Sequence, residues 1–138
     1  MPKLNLNTLV FLLLLLGWQN LSFSRNTDIG QSVDSMERIL PFMYGHKYLQ
    51  LLDKLSEYCS ERDFVRAKKY AGLLYVSAKQ MEDTAFMKRG MFRAALVAIF
   101  DGDFMASNEW FENLAKLSKL SGDVGFEAMS YIRIAQNL

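Results

Sequence analysis

The sequence predicts an all-α protein whose antiparallel helical hairpins stack into a short array. Three observations carry that expectation. Beyond Pro41 there is no proline, and apolar residues recur at spacings of three and four rather than two. Short polar breaks of three to five residues separate the periodic stretches, which makes consecutive helices antiparallel neighbours. The segment before and after Asp63 also resembles the one around Asp103, forty residues on.

The elements follow in order. Lys3 is the only charge before Arg25, Leu9 to Leu16 is an unbroken apolar run, and small residues stand at Ser22 and Ser24. A basic start, a short apolar core and a small-residue cleavage site predict a secretory signal peptide over 1–24. A retained anchor is the competing reading, but the run falls well short of the ~20 apolar residues a spanning helix needs. Removing 1–24 leaves 15 basic and 15 acidic residues, so the exported chain has no basic footprint for nucleic acid. Residues 25–43 form a lead segment, with a short helix from Ser32 to Leu40 that Pro41 ends. The helical domain then occupies 44–138.

Its first helix carries Tyr48, Leu51, Leu52, Leu55, Tyr58 and Cys59 on one face. Cys59 is the sole cysteine, so no internal disulfide can form, and its place on the apolar face marks a buried thiol. Phe64, Ala67, Tyr70, Ala71, Leu74, Ala78 and Met81 define the second helix, completing a hairpin over 44–82. Asp83 or Thr84 caps the third, which carries Met87, Met91, Ala94, Ala95, Ala98 and Ile99. The fourth, through Phe104, Ser107, Phe111, Leu114, Leu117 and, at its end, Leu120, closes a second hairpin over 84–120. A closing helix over 124–137 has Phe126, Met129, Ile132 and Ala135 turned inward. Its Glu127, Ser130, Arg133 and Gln136 are expected to face water and cap the stack. Met36, Ile39, Leu40 and Phe42 are expected to cover the other end.

Gly102-Asp103-Phe104, then Ser107 and Phe111, with Ala95 seven residues before the turn, resemble a tetratricopeptide repeat. Arg62-Asp63-Phe64, Ala67 and Ala71 repeat the pattern less closely, with Arg62 in place of the turn glycine. The resemblance covers roughly 44–138, as two hairpins and a closing helix. The spacing is forty residues rather than the family's roughly 34. It implies a stacked-hairpin fold and a groove lined by the first helix of each hairpin. By resemblance, the groove residues of the second unit are Arg89, Phe92, Arg93, Leu96, Ile99 and Phe100. Those of the first are Leu49, Leu52, Asp53 and Ser56.

The residues for chemistry are few. His46 is the only histidine, and with one His and one Cys there is no zinc set of nitrogen and sulfur ligands. Asp101 and Asp103 flank Gly102, yet a calcium loop needs a longer run of oxygen ligands. No glycine-rich phosphate loop follows a strand. No cofactor, metal or catalytic group is therefore expected, and the chain is not expected to be an enzyme. Arg89 and Arg93 stand one helical turn apart, so their planar guanidinium groups can share one carboxylate-bearing segment. The expectation is an exported interaction module, in the periplasm or outside the cell, that holds a protein partner's peptide or helix in this groove. The alternative is a small secreted protein that self-associates through its apolar helix faces.

Overall fold

The computed structural model describes residues 32–138; the expected signal peptide lies outside them. The chain divides at Ser35–Met36, and the fold below is that of residues 36–138. Residues 32–39 are helical (α1), and a 3-10 turn, Leu40–Phe42, takes up Pro41 in its first turn. Five helices follow: α2 Gly45–Cys59, α3 Phe64–Gln80, α4 Thr84–Phe100, α5 Phe104–Leu120 and α6 Val124–Gln136. Among the described residues there is no strand.

The joints explain where each helix stops and the next begins. Asp63, Asp83, Asp103 and Asp123 recur every twenty residues, and each is an N-cap. Their carboxylates accept from the N–H groups of Arg66, Phe86, Ala106 and Phe126 at 3.0, 3.1, 2.9 and 3.2 Å. In the last three, the Asp's own N–H donates to the carbonyl five residues back: Ala78, Ala98 and Ser118, at 2.9, 2.9 and 2.8 Å. The residue before each of these Asp is left-handed, with φ of 56° at Glu82, 75° at Gly102 and 71° at Gly122. This is the Schellman termination, and the residue that finishes it also caps the following helix. The repeat legible as forty residues is thus two units of twenty, each one helix and its joint.

Glu82 is the only residue other than glycine with positive φ among the described residues. A side chain in the left-handed region costs about 1 kcal/mol. Glu82→Gly is therefore expected to raise stability by about 0.5–1 kcal/mol. A denaturant melt whose midpoint failed to rise would show that Glu82 makes a compensating interaction.

Packing proceeds in chain order, α2 on α3, α3 on α4, α4 on α5 and α5 on α6, and α2 also touches α4. Leu49, Leu52, Leu55, Tyr70, Leu74, Phe111 and Leu114 are fully buried, with Ala67, Ala71, Ala78 and Ala95 between them. Small residues set the interhelical spacing. At Gly90, the backbone of α4 lies so near α3 that an added Cβ would sit 2.7 Å from the Tyr75 Cα.

Two expectations about the ends are corrected. Ser130 is buried, not water-facing, and donates its hydroxyl to the Phe126 carbonyl at 2.7 Å, while Tyr131 and Ile132 are exposed. α6 is rotated so that Phe126, Ser130 and Ile134 face inward, the small residue at 130 lying where Gly90 lies in α4. At the other end Met36 and Leu40 are half-buried, but Ile39 and Phe42 are exposed. There the tie is polar: the Tyr70 hydroxyl donates to Glu37, and burial with that bond pushes the phenol well above its usual pKa.

Candidate functional site

The six groove residues implied by the resemblance all lie on α4, and α2 and α6 flank them. Capping by Asp83 fixes the start of α4 and so the rotation of its faces. Arg89 and Arg93, one turn apart, converge on a single carboxylate, that of Asp53 on α2. Arg89 Nη1 donates to Asp53 Oδ2 at 2.6 Å and Arg93 Nε to Oδ1 at 2.9 Å. Glu57, one turn further along α2, stands 3.3 Å from Arg93 Nη2. Two cations and two anions balance there. Arg93 is mostly enclosed, whereas the Arg89 side chain stays 55% exposed. Its guanidinium lies 5.5 Å from the Phe86 ring. A depression of about 340 Å³ opens beside it, lined by Gln50, Asp53, Lys54, Glu57, Phe86 and Arg89.

The apolar members extend the same face toward the C-terminal end of α4. Phe92 is half-buried, its ring tilted against Phe126 of α6 at 5.9 Å and set edgewise to Phe111 of α5 at 6.3 Å. Leu96 and Ile99 are half-buried against the core, and Phe100 is 62% exposed. In the first unit, Leu49, Leu52, Asp53 and Ser56 are all buried, so α2 offers a partner little beyond Gln50, Lys54 and Glu57.

Every cation on α4 has a partner within the chain. Lys88, buried, donates to Asp123 at 2.5 Å and to the Ser121 hydroxyl at 3.2 Å. The ammonium bond, helped by the Phe126 N–H, holds the Asp123 carboxyl below its usual pKa. His46 sits on α2 beside Asp83 at 3.3 Å, edgewise to Phe86, and is largely exposed. First helices are thereby tied to the caps of the next first helix, α2 to α4 and α4 to α6.

The opposite side of α4 carries a second depression. α3 and α5 meet edgewise through Tyr75 and Trp110, 5.1 Å between centroids. Beside them a cleft of about 350 Å³ is floored by Ala94, Val97 and Ala98 and walled by Ala71, Gly72 and Ala106. Lys68 and Asp101 stand 3.7 Å apart at its edge. Cys59 is buried, and burial, with Asp63 adding, pushes its thiol pKa up. Among the described residues no three His, Cys, Asp or Glu side chains converge as a metal site would need. No described helix is long and apolar enough to cross a membrane.

No family model, curated protein or solved structure matches the chain. Function must accordingly be argued from these side chains alone. Sequence reasoning missed Asp53 as the partner of both arginines. The available signal was positional: Asp53 and Arg93 are forty residues apart, and so occupy matching positions on neighbouring first helices.

Proposed function

We propose that this chain is an exported, non-catalytic protein–protein interaction module that holds a partner's peptide or helix along α4. One observation supports this best. α4 carries no acidic residue, and its cations are paired inside the protein. Apolar surface on the same face nevertheless remains open, from half-buried Phe92, Leu96 and Ile99 to exposed Phe100. Recognition is then mainly apolar. Arg89, which uses one terminal nitrogen on Asp53, fixes the register of the bound segment with its other donors. The signal-like 1–24 segment is the support for export, and the stacked hairpins are the support for a tetratricopeptide-like groove.

The test is affinity capture from the native envelope with the full chain and with an Arg89→Ala, Phe100→Asp variant. Both positions are exposed enough that far-ultraviolet circular dichroism is expected to be unchanged. A partner recovered by the native chain and reduced at least about tenfold by the variant is the expected result, since loss of an anchoring aromatic and an arginine costs more than 1 kcal/mol each. Equal recovery by both baits would reject the α4 face.

A further inference from the structure

α6 repeats α4 forty residues on. The Asp83 and Asp123 caps, Phe86 and Phe126, Gly90 and Ser130, and Arg93 and Arg133 occupy matching positions. α4 receives α5 on Met91 and Ala95, both buried against Phe111 and Leu114. The matching residues of α6 are Tyr131 and Ala135, and both are exposed, Tyr131 by 56%. The surface that takes a helix in α4 is thus bare in α6.

Two further features of this surface say what covers it. Val124, Ala128, Tyr131 and Ala135 recur at intervals of four, three and four, the heptad seam of a helix pair, Leu138 follows three residues on, just past the helix end, and all five are exposed. No exposed residue of α6 is charged, whereas the exposed faces of α3 and α5 carry Lys68, Lys69, Lys79, Glu109, Glu112, Lys116 and Lys119. A face that meets its own copy brings like charges toward each other across the two-fold axis, so a charge-free seam suits self-pairing. A second copy cannot offer α5, because Phe111, Leu114 and Ala115 are already buried. The matching seam it does leave open is α6.

We propose that two copies pair through α6, antiparallel, about a two-fold axis beside Tyr131. Val124 then lies against the partner's Leu138, Ala128 against the partner's Ala135, and Tyr131 against its twin. The alanines let the helices approach closely. One helix pair gives a small interface, on the order of 1,000 Å², the size of a weak or transient association. The α4 face is not used, and this pairing stands or falls independently of the proposed groove.

The test is sedimentation velocity of the 138-residue chain from about 1 to 200 μM, a range that brackets a micromolar constant. The expected result is a concentration-dependent dimer that Tyr131→Glu weakens at least about tenfold at unchanged helicity. As a second measurement, Tyr131→Cys is expected to give a disulfide-linked dimer under mild oxidation, while Val65→Cys, more exposed on α3, is not. The native Cys59 is buried and stays out of the reaction. A chain monomeric throughout the range, with α6 covered instead by a different protein or by nothing, would overturn the proposal. So would a dimer that survives Tyr131→Glu, or cross-linking that does not favour position 131.

Discussion

Gly90→Ala is expected to destabilise the protein by up to about 2 kcal/mol, the outcome of two opposed effects. Alanine in the middle of a helix gains about 1 kcal/mol over glycine. Against that, the new Cβ would lie 2.7 Å from the Tyr75 Cα, 2.8 Å from its N and 2.9 Å from its Cβ. These atoms belong to the α3 backbone or are fixed directly to it, so no rotamer change relieves the clash. α3 and α4 must separate, and overpacking of this kind costs about 1–3 kcal/mol or more before the propensity gain is subtracted. Separation also pulls Tyr75 from Trp110, so the Trp110 environment should change with the melt. Gly72→Ala is the internal control. Gly72 lies within α3 and a Cβ there meets nothing within 4 Å, so the propensity gain stands alone and stability rises by about 0.5–1 kcal/mol. Equal midpoints for the two variants in a guanidinium titration would mean that the helices are not held as closely as Gly90 implies.

Asp53→Ala is expected to cost about 2–3 kcal/mol. The carboxylate is buried and serves two guanidinium groups, but their shares are unequal. Arg89 is more than half exposed, so its share is that of a surface pair, below about 1 kcal/mol. Arg93 is enclosed, and without Asp53 it keeps only Glu57 at 3.3 Å. The larger part of the loss is therefore the cost of leaving Arg93 under-compensated. Removing it as well, in Asp53→Ala, Arg93→Leu, should recover about half. If the double variant were no more stable than the single, the pair would be stabilising on its own account. Asp53→Ala also frees the exposed Arg89 on the α4 face, and a partner with an acidic segment should then bind more tightly.

Much of the fold was legible because it is written in short-range signals. Asp83 and Asp103 announce helix starts, the glycine of Gly102-Asp103 announces a stop, and three-four spacing sets the inward faces of α2 and α3 except at their C-terminal ends, where Tyr58 and Met81 are exposed rather than inward. The twenty-residue unit was harder to see. In three of its four joints a left-handed residue precedes the Asp, and in the α3–α4 joint that residue is Glu82 rather than a glycine. The rotation of α6 was misread for a different reason. Counting apolar residues places Ile132 inward and Ser130 outward, but close approach demands a small residue at the crossing. Ser130 satisfies that demand, and its hydroxyl is absorbed by the Phe126 carbonyl. At the candidate site, the proximity of Arg89 to Arg93 follows from helix geometry, whereas their common anion comes from another helix, which local spacing does not encode.

The doubled role of each joint Asp has a consequence for how such a chain changes length. Because the residue that finishes one helix also starts the next, there is no spare linker in which an insertion or deletion of a few residues could be absorbed. Growth or loss comes in steps of twenty. A single step reverses the direction of every helix downstream and exchanges the two sides of the stack; a pair of steps restores both. Duplication by forty is the smallest edit that preserves polarity, and that is the distance at which α4 and α6 echo one another.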